Sequence, residues 1–361
     1  MADTENAQAT DQEAKPETAS TDMSVKSGGI DVQAEQASAG ADMVGRDKIV
    51  QEEHVGGDKI VAQNVYIISV PDTPQIAPSI SKPSSGIATP QAIEPEISRT
   101  PIPFDWVTIP AGEFLMGSNN QQDQDAEFIE LPQHRVSLPE YRIARVPVTV
   151  GQFRHFVNAM NYTTTAERQG WAYDWTDTNW VPIKDAYWRH PHGPNSDVQD
   201  DDPVTCMSWD DAIAFCEWAR VRLPTEAEWE KAASWDEANK AKRKWPWGNT
   251  FDSHKCNSHE ANIGGTTPVG KYSPHGDSAY GVADMAGNVC EWCEDWYDAN
   301  YYKYSPSRNP QGPASGEYRV VRGGTWFQKR TYVRCAHRHS HVPNATVSDF
   351  GFRVCAMKRS E

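Results

Sequence analysis

The stretch "RVVRGGTWFQKRTYVRCAHRHSHVP", residues 319–343, decides how this chain is read. A Gly-Gly turn is followed by aromatics and then by a run of large polar and ring-bearing side chains. Three readings compete for it: the wall of an active site, a metal site made of histidines, or a surface that holds a partner. His337, His339 and His341 alternate, so on a strand they would share one face, and three imidazoles can bind zinc or iron. Alternate residues on one strand stand nearly ~7 Å apart, however, so converging on one ion needs a bend. Solvent-facing histidines in a contact surface are the expectation.

The rest of the composition narrows the choice. All fourteen tryptophans lie between Trp106 and Trp326, and all seven cysteines lie at or beyond Cys206. Residues 1–43 hold no aromatic and nine acids against Lys15 and Lys26, which predicts a disordered acidic tail. The net charge of −16 repels phosphates and argues against nucleic acid. The short basic run "KAKRK", residues 240–244, reads as a solvated loop. No stretch approaches the ~20 apolar residues of a membrane span, and the N-terminus lacks the apolar core of a secretory signal. An odd number of cysteines without framework spacing suits a reducing cytoplasm.

Ahead of the tryptophan-rich part, "VGRDKIV" at 44–50 is repeated as "VGGDKIV" at 55–61, and "VYIISV" follows at 65–70. Each repeat reads as a turn leading into a short strand. Such arcs cannot bury a core alone, so residues 44–70 are expected to be a small β element for homo-oligomerisation or docking, with a weakly ordered tether as the alternative. Eight prolines between Pro71 and Pro103 predict a semi-extended linker over 71–104. The globular part then covers 105–358.

Three helices are legible there. Ser208 caps "SWDDAIAFCEWARV", with Asp211 three residues on and Ile213, Phe215, Cys216, Trp218 and Ala219 supplying the apolar face. Thr225 and Glu228 stand in capping-box spacing in "PTEAEWEKAASW". "VGQFRHFVNAM" places Phe153, Phe156, Val157 and Met160 on one side. The remainder is short and rich in Gly, Pro and Asn, and predicts irregular packing. "CEWC", Cys290 to Cys293, has redox or zinc spacing but lacks a second pair and a βαβ context; buried small hydrophobes are expected.

Eight segments occur in a fixed order: "IPAGEFLMGS" (109–118), "VPVTVGQFRHFV" (146–157), "WRHPHGPNS" (188–196), "PVTCMSWDDAIAFCEWA" (203–219), "RLPTEAEWEKAA" (222–233), "YGVADMAGNVCEW" (280–292), "RVVRGGTW" (319–326) and "GFRV" (351–354). Together they resemble the formylglycine-generating enzyme (sulfatase-modifying factor) domain over about 105–357. The resemblance implies an α+β domain of the C-type-lectin-like class with little regular secondary structure. It does not by itself carry the activity. The family's oxidase uses two cysteines, five residues apart after the Gly-Gly turn, to hold copper as thiolates. Here those positions are Gln328 and Val333, so no copper is expected. A second branch, which holds iron on three histidines of an added helical domain, lacks its counterpart before residue 105.

The same resemblance implies a calcium loop in "DMAGNVCE", with oxygens from Asp284, Gly287, Val289 and Glu291, and a second site involving Asn257 and Ser258. A hard cation suits such oxygens and would support a loop-rich fold. It also leaves the C-terminal stretch as a platform: Trp326, Phe327, Gln328, Lys329, Arg330, Thr331, Tyr332, His337, His339, Ser340, His341 and Asn344 are the expected ligand-binding residues. That arrangement is similar to variable proteins of diversity-generating retroelements. The expectation is a non-catalytic scaffold that binds a protein or peptide ligand, either diversified by a retroelement or fixed in specificity as a sensor in a bacterial defence or signalling complex. A formylglycine-generating oxidase is the remaining, disfavoured, alternative.

Overall fold

Helices in this protein begin where side chains can close their first turn. The computed structural model describes residues 102–176 and 179–357; the expected tail, the repeat at 44–70 and most of the linker lie outside the described residues. The first part of the fold comprises β1 (Trp106–Ile109), β2 (Gly112–Met116), β3 (His134–Leu138), β4 (Tyr141–Ala144), α1 (Val150–Met160), α2 (Thr165–Gln169), β5 (Trp171–Thr176) and β6 (Asn179–Lys184). Next come α3 (Trp209–Ala219), β7 (Val221–Arg222), α4 (Glu226–Ser234), β8 (Trp235–Asp236) and β9 (Ala241–Lys242). The last third adds β10 (Cys290–Trp296), β11 (Arg319–Arg322), β12 (His339–His341), β13 (Phe350–Phe352) and β14 (Cys355–Ala356). Thr149, Thr164, Ser208 and Thr225 cap the four helices, each in a complete capping box. Each cap contributes about 1 kcal/mol, which matters for helices of 5 to 11 residues that would not persist alone.

The strands form two four-stranded sheets, ordered β1-β4-β14-β7 and β12-β11-β10-β13, and three two-stranded ribbons. In the second sheet β10 runs antiparallel to β11 and parallel to β13, so Cys290 faces Phe350 and Trp292 faces Phe352. The chain's last strands join both sheets, β13 at the edge beside β10 and β14 between β4 and β7, and the "GFRV" segment that links them is buried at every residue. One core cluster gathers Phe153, Phe156, Trp188, Phe215, Trp292 and Phe352; Ile102 and Phe104 already pack on it. A second gathers Ile109, Phe114, Ile143, Trp229, Met285 and Val320.

Two expectations are corrected here. Met160, assigned to the apolar side of α1, is 45% exposed, because α1 buries only Val150, Phe153 and Phe156. The "KAKRK" run is no solvated loop: Lys242 pairs with Glu230 at 2.5 Å and Lys244 with Asp123 and Asp125 at 2.5 and 2.7 Å. All seven cysteines are buried and free, and burial pushes the Cys290 and Cys293 thiols well above their ordinary range. That is the behaviour of small hydrophobes rather than reactive thiolates. Among the described residues no helix is long and apolar enough to cross a membrane.

Candidate functional site

The C-terminal segment leaves β11 through Gly323 and Gly324. Gly324 has φ +72°, and a Cβ there would stand 2.7 Å from the Tyr332 carbonyl oxygen, so the turn admits no side chain. Arginines then tie the irregular chain to α4 and its surroundings. Arg322 donates to Glu230 (2.6 Å), Glu226 (3.3 Å) and the carbonyls of Cys335 and Ala336 (2.7 and 3.2 Å). Arg338 grips both oxygens of Glu226 at 2.7 and 2.9 Å and lies over the Tyr302 ring. Arg334 forms a fork on Glu130 at 2.8 and 2.6 Å. All three guanidiniums are fully buried, and the paired fork geometry offsets their desolvation.

The family's two copper positions are committed elsewhere. Gln328 turns its amide back on its own turn, its Oε1 accepting from the Thr325 N–H at 3.1 Å. Val333 is buried with Trp245, Cys256 and Ala286. An amide and an isopropyl group supply no soft ligand, so thiolate-held copper does not fit these residues.

Opposite the arginines the segment is built of rings and unmet polar atoms. Phe327 stacks on Trp175 of the β5–β6 ribbon at 5.2 Å and 10°, and meets Trp180 and Trp326 edge-on at 5.5 and 5.3 Å. Beneath lies Asp349, 1% exposed, with no hydrogen-bond partner for either carboxyl oxygen. The Thr325 hydroxyl and the Trp326 indole N–H are likewise buried and unmatched. Burial pushes the Asp349 carboxyl up to about 7; its own backbone N–H and the Thr325 hydroxyl stand near enough to pull it down, though neither reaches hydrogen-bond geometry. Beside it Asp174 accepts from His192 Nδ1 (2.9 Å) and Ser348 Oγ (2.5 Å), and that bond raises the His192 pKa. A carboxyl poised near neutrality beside a His–Asp pair can take or give a proton at physiological pH.

Of the expected ligand-binding residues, Lys329, Arg330 and Asn344 are exposed, and Trp326, Phe327, Gln328, Thr331 and Tyr332 are half-buried. The histidines divide. His339 and His341 share a face of β12, as expected, but pack edge-on against Phe350 at 6.2 and 5.5 Å; Ser340 between them is half-buried. His337 is not solvent-facing: it is 6% exposed and turned toward Glu130. Asp349, Thr325, Asp174, His192, Trp175 and Trp180 were not singled out as site residues by sequence. No local pattern marks them, since they meet only through tertiary pairing, although His192 stands in the quoted "WRHPHGPNS".

In the expected calcium loop Glu291 is fully buried. Its oxygens accept from Arg353 Nε (2.5 Å), Arg353 Nη2 (2.6 Å) and Trp229 Nε1 (2.7 Å), which fix the plane of the carboxylate. The Gly287 carbonyl accepts from the Val289 N–H at 3.0 Å. Asp284 accepts from the Gly270 N–H at 2.5 Å, and burial raises its pKa to about 6. Asn257 Oδ1 is buried and unmatched.

Fold and site together define a C-type-lectin-like domain whose last third is stapled by arginines and rimmed by aromatics. The chain belongs to the sulfatase-modifying factor enzyme 1-like domain family, whose model matches residues 94–358. It is 37% identical over 295 residues to the formylglycine-generating enzyme of Thermomonospora curvata, covering 69% of this chain and 92% of that one. It is 35% identical over 258 residues to the hercynine oxygenase of Mycolicibacterium smegmatis, covering 66% and 58%. Among solved structures it is similar to Treponema denticola variable protein 1, with a TM-score of 0.53, 25% identity, and 71% and 95% of the two chains covered. The relatives overturn one expectation, that the chain is no enzyme. At 35–37% identity they are named as enzymes, so losing a cysteine pair removes one chemistry without removing catalysis from the family.

Proposed function

We propose that the chain binds a polypeptide segment along the aromatic shelf of Trp175, Trp180, Trp326 and Phe327, and that Asp349 receives a polar group of that ligand. The observation behind this reading is the trio of buried, unmatched polar groups at Asp349, Thr325 and Trp326 under that shelf. Buried polar atoms without partners are costly and uncommon, and a ligand is one thing that would satisfy them. Aromatic rings provide contact area with little entropy lost. Chemistry open to such a site is proton transfer between the ligand, Asp349 and the His192–Asp174 pair. Panning a displayed peptide library against the wild type and against Asp349→Ala tests it. Wild-type binders that lose at least tenfold affinity for the variant support the reading; equal binding overturns it.

The likeness to a variable protein favours a second reading, in which the exposed decoration at Lys329, Arg330 and Asn344 is diversified by a retroelement. A near-copy of the codons for 319–354 in the flanking DNA, differing mainly at adenines and beside a reverse transcriptase, would support it. Its absence leaves a fixed ligand. The repeat at 44–70 would gather several such heads and raise avidity; unchanged sedimentation after deletion of residues 40–70 would remove that role. Calcium remains part of the proposal, held by the Asp284 and Glu291 carboxylates and the Gly287 and Val289 carbonyls, with Asn257 at a second site.

A further inference from the structure

The three histidines of "HRHSH" separate in the fold, and the one that leaves the set finds different company. His337 is nine-tenths buried, and its Nδ1 has no hydrogen-bond partner. The nearest acidic oxygen, Glu130 Oε1, stands 3.8 Å away. That is too long for a hydrogen bond, yet it fits two ligands of one ion: bonds of ~2.1 Å opening at 90–130° separate their donor atoms by ~3–3.8 Å. Among the described residues, Glu127, Glu130 and His337 are the one group of three such side chains whose ligand atoms all lie within 4.8 Å of one another.

We infer that Glu127, Glu130 and His337 hold a divalent transition-metal ion, at a place separate from the calcium loop and from the copper positions. Glu130 is already aimed for the task. The Arg334 fork and the Ser118 hydroxyl, which donates to Oε2 at 2.6 Å, fix its plane, as outer hydrogen bonds fix a metal-bound carboxylate. Charge agrees as well. Asp123, Asp125, Glu127 and Glu130 face Lys244, Arg330 and Arg334 in this corner, so four negative charges against three positive leave a net negative field that favours a cation. The Tyr332 ring closes one side of His337 edge-on at 5.2 Å, and half-buried Glu127 leaves a way in from solvent. One imidazole with two carboxylates suits zinc, manganese or iron(II) better than calcium, which prefers oxygen alone, and better than copper(I), which prefers sulfur.

The test uses the full chain, stripped with a chelator and titrated with Co²⁺, whose visible absorption reports bound imidazole and carboxylate, followed by competition with Zn²⁺. The expected result is one saturable equivalent, with at least a tenfold weaker Kd in His337→Asn and in Glu127→Gln, and no change in Asp284→Asn. Glu127 is half-buried, so its variant keeps the test valid even if the histidine variant misfolds. Saturable binding that both variants leave unchanged, or no saturable binding at all, overturns the site.

Discussion

The C-terminal segment has two flanks built on opposite terms. On the side of α4, each buried guanidinium of Arg322, Arg334 and Arg338 meets carboxylates, at 2.6–3.3 Å. On the side of the β5–β6 ribbon, Asp349, Thr325 and Trp326 are buried with polar atoms unmatched. An irregular chain with few ladders needs the first flank simply to hold its course. The second flank gives up stability where nothing structural requires it, which is how binding and catalytic sites are commonly recognised.

The largest effect should come from breaking a staple. Arg338→Met removes two bonds to Glu226 and leaves that carboxylate buried with only the longer contacts from Arg322 and the Tyr302 hydroxyl, both at 3.3 Å. Urea denaturation is expected to show a loss of about 3–5 kcal/mol. A loss under about 1 kcal/mol would erase the contrast between the flanks.

Asp349→Asn should act with the opposite sign. The folded carboxyl titrates near 7, above its ordinary 3.8, so between those values the folded state holds a proton that the unfolded chain has released. Stability from this group is whole below pH 4, falls as pH rises toward 7, and stays low above it. Asp174 and His192 face the same group and are unchanged by the substitution. The variant should match the wild type at pH 4 and exceed it at pH 8 by as much as ~4 kcal/mol, while losing ligand. Equal stability at both pH values would mean that the carboxyl is already satisfied.

The two flanks also differ in how far sequence reveals them. Capping boxes at Ser208 and Thr225 were legible because a cap is closed within four residues. The ordered motifs carried the fold class for the same reason, being local. Sequence could not place β13 beside β10 or β14 between β4 and β7, pairings that join distant segments. Glu226, Glu228 and Glu230 are acids of a short helix, yet all are buried, because their partners arrive about a hundred residues later in Arg322 and Arg338, or from β7 in Arg222. Asp349 was hidden differently: a buried carboxyl is notable only for the partners it lacks, and absence leaves no pattern in a sequence. His337 was noticed for its alternation with His339, a strand rule that fails because β12 begins only at His339.

A smaller effect separates shelf from staple. Phe327→Ala removes a ring stacked on Trp175 and touched by Trp180 and Trp326, all four half-buried. Stability should fall by about 1–2 kcal/mol, within the range for losing aromatic contacts that are only partly buried. Peptide affinity should fall tenfold or more, read by titration calorimetry with a peptide selected against the wild type. Lost stability with affinity intact would make the shelf a piece of core.

The smallest effects belong to the rim, and they sharpen the contrast most. Lys329 and Asn344 are exposed, so Lys329→Ala and Asn344→Ala should change stability by no more than ~0.5 kcal/mol. If these side chains decorate a recognition face, each substitution should still shift affinity for the selected peptide several-fold, chiefly through the dissociation rate. Such a pattern requires a scaffold that carries its decoration without depending on it, which is what the arginine staples provide. Should either substitution cost more than ~1 kcal/mol of stability, that position would belong to the scaffold, and the boundary between the two flanks would have to be drawn closer to Phe327.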